Sequence, residues 1–324
     1  MSLPLARIVA GPANAPTLVL LHGITGSAVS QAEAIDHWVG RGYRVVAADA
    51  RGHGLSPRWT TAELDRAGEV LVEDVISLLE ELIPAVPGIP ALPAVGDATR
   101  EFCGASRVSP SVAAKAVNPV AGESGESETT PAAPGSRPVL IGHSMGAATA
   151  MVVAVRRPDL VSGAVLLDPA RYGSRSPQEL RERGAARKRA RAADLADLPG
   201  AVARALANPE IPDGEAVAGV WAGQRVDPSL LDTGVVAPPV PWEEAMADLA
   251  VPTLLVTGDR PGSARVGPVG LDRLARIANP RIETALLAGA GHDVRRTRPA
   301  EFWAAVDSWL DRLFGAGGAI VLNA

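Results

Sequence analysis

The chain has 324 residues, 47% of them hydrophobic and 21% charged, with a formal net charge of −5 and a single cysteine. That length suits one α/β domain of roughly 250 residues with insertions, and the acidic balance gives no electrostatic case for nucleic acid or an anionic membrane as partner. One cysteine excludes an intramolecular disulfide framework and fits a reducing compartment. Residues 1–7 lack a basic region followed by an apolar run, and no window approaches the ~18 apolar residues of a membrane span, so the expectation is a cytoplasmic protein.

Short apolar runs alternate with helix-compatible stretches, which predicts a mainly parallel sheet covered by helices on both faces, an α/β fold. An edge strand is expected over 6–10 and core strands over 17–21, 43–48, 139–141, 163–167, 253–256 and 282–287. The intervening helices are expected over 30–39, 62–83, 146–156, 270–278 and 299–314. Two insertions break the alternation. The first, 84–137, is poor in large apolar residues in its later half and cannot bury enough surface to offset ordering entropy, so it is expected to be a mobile surface loop; Cys103 within it has no local partner for thiol chemistry. The second, 170–250, carries helical segments over 178–195, 199–207 and 243–249.

Gly142-His143-Ser144-Met145-Gly146 follows the apolar run Pro138-Val139-Leu140-Ile141 and precedes a helix-compatible run of small residues. A serine at such a strand-to-helix turn projects its hydroxyl above the end of the sheet, and glycines two positions either side let neighbouring backbone pass without a Cβ clash. A nucleophilic serine needs a base, an acid that orients the base and donors for the oxyanion. His292 ends the glycine-loosened loop Ala288-Gly289-Ala290-Gly291 after a strand and is the candidate base. Asp259 stands just past the strand that begins Thr253-Leu254-Leu255-Val256 and is the candidate orienter.

The order Ser144, Asp259, His292 is that of α/β-hydrolases and differs from that of chymotrypsin and subtilisin. With His22-Gly23-Ile24-Thr25-Gly26 after the second strand and Asp49-Ala50-Arg51-Gly52-His53-Gly54-Leu55-Ser56 after the third, the chain resembles the α/β-hydrolase superfamily, a serine-nucleophile, lid-bearing esterase or lipase-like member. The resemblance implies that the backbone amides of Ile24 and Met145 form an oxyanion hole, that 170–250 is a helical lid, and that 1–169 with 251–324 form the hydrolase core. His22, His53 and His143 are read as structural histidines beneath the site. The chain departs from the family pattern at Gly258-Asp259-Arg260-Pro261, where proline occupies the usual acid position. Asp168, ending the strand 163–167, is therefore the alternative acid.

Trp221 and Trp242 in the lid are candidates for the substrate pocket, with packing of the lid on the core as the other reading. Arg181, Arg183, Arg187, Lys188, Arg189 and Arg191 fall around most of a helix circumference with Glu179, Glu182 and Asp194 among them, as expected of a solvated lid helix, so an acidic-substrate site is the lesser reading. There is no phosphate-binding glycine loop, no dinucleotide fingerprint and no cysteine–histidine spacing for zinc; neither a cofactor nor a metal is expected. The expected chemistry is hydrolysis of an ester-like bond in a small molecule through an acyl-enzyme. Two alternatives stay open: a cofactor-free acyltransferase or haloperoxidase-type enzyme, and a non-catalytic small-ligand-binding protein on the same fold.

Overall fold

The computed structural model describes residues 4–83, 137–170, 176–235 and 237–315. The expectation for 84–137 falls, apart from Arg137, outside them. Within the described residues seven strands form one sheet: β1 (Arg7–Ala10), β2 (Thr17–Leu21), β3 (Arg44–Ala48), β4 (Val139–His143), β5 (Gly163–Leu167), β6 (Thr253–Gly258) and β7 (Ile282–Leu287). Their order is β1-β3-β2-β4-β5-β6-β7. β1 pairs antiparallel with β3 and every other pairing is parallel.

The central strands read as near-continuous Val, Leu and Ala because both faces are covered. Successive side chains point to opposite faces, so Val19 and Leu21 of β2 join Leu140, Leu166 and Leu255 on one face. There the helices Ala67–Leu82 and Met145–Arg156 supply Val72, Leu78, Leu79 and Met151. Leu18 and Leu20 join Val45, Ile141 and Val256 on the other face, beneath Trp38 of the helix Ala32–Gly40 and Phe302, Val306 and Leu310 of the helix Pro299–Gly315. Phe302, Val306 and Leu310 recur at four-residue spacing on that helix and are fully buried, the apolar stripe that a 3.6-residue period presents to a sheet.

The helix expected over 62–83 is two helices, Thr61–Leu64 and Ala67–Leu82. Thr60 and Glu63 form a capping box that closes the first turn, and the chain is re-aimed at Arg66. The break lets Gly68 lie where a Cβ would come within 2.7 Å of Pro238 Cα. Between β5 and β6 the described residues of the insertion fold as five helices, Pro177–Ala196, Leu198–Leu206, Asp213–Gln224, Pro228–Thr233 and Trp242–Asp248. The third and fourth lack an apolar period and were not expected from the sequence.

β2 lies between β3 and β4, so chain progression reverses direction beside it. The crevice outside the carboxyl ends of strands at such a reversal is where an open α/β sheet accepts a ligand. The loop after β2 and the serine after β4 face each other there.

Candidate active site

β4 runs through His143 and the next helix begins at Met145, so Ser144 alone makes the turn. Its φ of 53° and ψ of −107° lie in a sparsely populated region that costs on the order of 1–3 kcal/mol. The surrounding backbone holds it there: the Ser144 amide donates to the Leu167 carbonyl at 3.0 Å, and its carbonyl accepts from the amides of Ala148 and Ala170, each at 3.0 Å. The flanking glycines are steric requirements. A Cβ on Gly146 would lie 2.2 Å from the Leu21 carbonyl oxygen, and one on Gly142 2.4 Å from that of Gly146.

Nε2 of His292 lies 2.9 Å from Ser144 Oγ, and Nδ1 lies 2.6 Å from Asp168 Oδ2. An ionised carboxylate only accepts, so the proton is on Nδ1 and the Nε2 lone pair faces the serine hydroxyl, the tautomer that a general base requires. The backbone of His292 is pinned as well. Its amide donates to Ser263 Oγ at 3.0 Å, and its carbonyl accepts from His143 Nε2 at 3.0 Å. Burial holds the His143 ring below the usual histidine range, which fits a neutral donor.

Asp168 is fully buried, with φ of 41°. Besides His292 it accepts from Thr257 Oγ1 at 2.7 Å and from the amides of Arg265 and Val266 at 2.8 and 2.9 Å. Burial works to raise its pKa, but the hydrogen bonds from His292, Thr257 and the Val266 amide outweigh burial and hold the carboxyl below the ordinary carboxylate range. The sequence favoured Asp259 for this position, and the structure does not bring it to the imidazole. β6 continues through Gly258, two residues beyond its expected end, and the Arg260 amide bonds to the Ala290 carbonyl at 3.0 Å. Asp259 is thereby turned toward the end of β7, where it accepts the Gly289 amide at 2.6 Å. Asp168 instead leaves β5, between β4 and β6, with its amide bonded to the Val256 carbonyl at 2.8 Å. Thr257, Ser263 and the two amides were not singled out in the sequence. The loop amides leave no side-chain signal there.

The loop after β2 approaches the serine through Gly23, where a Cβ would stand 3.3 Å from Ser144 Cβ and 2.9 Å from His143 Nδ1. His22 shapes this loop from below. Its Nδ1 donates to the Gly23 carbonyl at 2.8 Å and its Nε2 accepts the Ala50 amide at 2.9 Å, an arrangement open only to the neutral ring. Burial lowers its pKa accordingly. The Gly26 amide closes the turn on the Gly23 carbonyl at 2.9 Å, with Thr25 at φ 71°. Ile24 faces the cavity. The Met145 amide is the first of its helix, where N–H groups have no partner within the helix. Asp49 serves the neighbouring loop, accepting the amides of Ala28 and Leu55 at 2.7 and 2.9 Å. Arg51 is paired with Asp74 at 2.7 Å. His53 is fully buried, and burial together with His22 lowers its pKa to about 3.

Ser144 and His292 open into a cavity of about 940 Å³ that is also lined by Ile24, Trp38, Phe302 and residues of the inserted helices. The pocket assignment of Trp221 and Trp242 does not match this lining. Trp242 packs with Met246 and Leu249 in the core, and Trp221 lies under the Arg225 guanidinium, 5.9 Å from its ring centre. Among the described residues, no cluster of three His, Cys, Asp or Glu side chains is placed to hold a metal, and no helix is long and apolar enough to cross a membrane.

The sequence profile of the alpha/beta hydrolase family matches residues 18–305. The sn-1-specific diacylglycerol lipase ABHD11 of Mus musculus is 27% identical over 95% of this chain and 85% of its own length. Two solved structures share the fold. One is E-2-(acetamidomethylene)succinate hydrolase, with a TM-score of 0.64, 19% identity and 95% of each chain covered. The other is the enol-lactonase from Burkholderia xenovorans LB400, with a TM-score of 0.62, 18% identity and 94% and 96% covered.

Proposed function

Because the chain belongs to the alpha/beta hydrolase family, we propose that it is a serine hydrolase that cleaves an ester-like bond of a small organic molecule through an acyl-enzyme intermediate. The observation that carries this reading is the His292 imidazole, 2.9 Å from Ser144 Oγ through one nitrogen and 2.6 Å from Asp168 through the other. His292 Nε2 takes the serine proton as Oγ attacks the carbonyl carbon. The resulting oxyanion is held by the amides of Ile24 and Met145, each such donor lowering the barrier by about 3–4 kcal/mol when preorganised. The imidazolium, stabilised by Asp168, then protonates the leaving alkoxide. Water repeats the sequence on the acyl-enzyme: His292 takes its proton, the C–Oγ bond breaks and Ser144 is regenerated. The inserted helices act as the lid that shapes the acyl pocket.

The test is turnover of p-nitrophenyl esters of graded chain length, together with labelling by a fluorophosphonate. Ester hydrolysis and labelling are expected for the native chain, and Ser144→Ala is expected to lose both, with a rate loss of about 10⁴-fold or more. No turnover of any ester, with no labelling at Ser144, would remove the hydrolase reading and leave the non-catalytic binding protein.

A further inference from the structure

The cavity over Ser144 is basic although the chain is acidic. Its lining includes eight arginines against four carboxylates. Those carboxylates already have partners: Asp194 pairs with Arg204 at 3.0 Å, Glu210 with Arg260 at 2.7 Å, Glu215 with Arg295 and Arg296 at 2.8 Å each, and Asp293 with Arg296 at 3.2 Å. On the helix Pro177–Ala196, Arg183, Arg187 and Arg191 recur every fourth residue and all line the cavity. At a rise of ~1.5 Å per residue they form a row of about 12 Å on one face.

The cationic residues do lie around the circumference of this helix, as read from the sequence, but one stripe of them faces inward. Packing fixes which stripe. Gly184 meets the helix Pro228–Thr233 so closely that a Cβ would fall 1.9 Å from the Leu231 carbonyl oxygen, and one turn on, on the same face, Lys188 pairs with Asp232 of that helix at 2.6 Å. Helix rotation is thereby set with the 183–187–191 row turned into the cavity. Among the described residues Arg183 forms no ion pair. Arg191 donates Nη2 to the Gln224 carbonyl at 2.7 Å, while its buried Nε has no partner there. A buried guanidinium N–H without an acceptor forfeits a hydrogen bond it would make in water. The planar guanidinium fork matches the paired oxygens of a carboxylate or phosphate.

We propose that this row is an oxyanion subsite, and that the physiological ester carries a carboxylate or phosphate at the end remote from the scissile bond. The inference rests on the serine hydrolase reading for the bond that is cleaved, and on Arg183 and Arg191 for the charge.

The experiment compares two p-nitrophenyl esters of equal chain length, one ending in a methyl group (the hexanoate) and one in a carboxylate (the mono-ester of adipic acid). Native protein is expected to favour the carboxylate in kcat/KM by about 10- to 100-fold, the range of charge-assisted hydrogen bonds. The preference should fall as salt is raised. It should approach unity in Arg183→Gln/Arg191→Gln, with Arg183→Gln alone read beside it for folding, and persist in Arg181→Gln on the exposed side. Calorimetric titration of native protein with glutarate and with inorganic phosphate reads the subsite without turnover and tells the two anions apart. Ester turnover with no preference, and no binding of either anion, overturns the subsite and leaves the hydrolase. Arginine-dependent anion binding without ester turnover or labelling at Ser144 does the reverse.

Discussion

Asp168 and His292 are 124 residues apart in the chain, yet Oδ2 of the first lies 2.6 Å from Nδ1 of the second. The carboxylate is fixed by three further donors, Thr257 Oγ1 and the amides of Arg265 and Val266, so its direction is set before the imidazole meets it. Asp168→Asn is therefore expected to cut kcat by about 10⁴-fold, because an amide leaves the ring free to adopt the wrong tautomer. Asp259→Asn removes only the acceptor of the Gly289 amide and should leave kcat close to that of the native chain. Rates measured for both variants on one ester decide the matter; a larger loss from Asp259→Asn would reassign the acid.

Why the sequence favoured the other aspartate is a matter of which signals are local. Ser144 is marked by glycines that its own turn requires, and His292 by a loosened loop after a strand. Both aspartates simply end buried strands. What separates them is donor placement, with Thr257 and the amides at 265 and 266 gathered around residue 168 from about ninety to a hundred positions away. The central strands were legible because burial on both faces demands unbroken apolar runs. The helix Asp213–Gln224 was not, since Gly, Ala and acidic residues give it no apolar face. Likewise the spacing of 183, 187 and 191 was visible, but which stripe of that helix faces inward depends on its contact at Gly184.

Gly23 lies where the loop carrying Ile24 approaches the serine. A Cβ there would stand 2.9 Å from His143 Nδ1 and 3.3 Å from Ser144 Cβ, so Gly23→Ala pushes the loop bearing Ile24 away from the serine. Loss of one preorganised donor predicts a drop in kcat of about 10²- to 10³-fold, with KM changed much less and fluorophosphonate labelling slowed. A variant whose kcat is unaltered would show that the Ile24 amide does not stabilise the oxyanion.

Glu215 is fully buried and accepts from Arg295 at 2.8 Å and from Arg296 at 2.8 and 2.9 Å, while its other oxygen receives the Glu33 amide at 3.1 Å. It ties the inserted helix Asp213–Gln224 to the short helix Val294–Thr297 that follows His292. Removing it leaves Arg295 and Arg296 with only the more exposed Glu33 and Asp293 as partners, and breaking a buried ion pair costs about 3–5 kcal/mol. Glu215→Ala is expected to lower unfolding stability in urea by that amount, and to reduce turnover further by loosening the base. Restored stability in Glu215→Asp would point to the charge; equal damage from both variants would point to packing alone.

His53 makes stability depend on acid. In the folded chain its pKa is about 3, against about 6.5 for a free histidine, because the ring is buried and stands beside His22. Between these values the unfolded chain binds the extra proton and the folded chain does not, so stability declines as pH falls below about 6.5 and the decline ends near pH 3. At 1.36 kcal/mol per pH unit, the step from about pH 7.5 to 5 removes about 2 kcal/mol through this residue. Urea unfolding of the native chain and of His53→Gln at those two pH values isolates the contribution, since glutamine does not titrate. The native chain should lose more stability than the variant by that margin. An equal loss in both would mean that His53 is as readily protonated inside the fold as outside it.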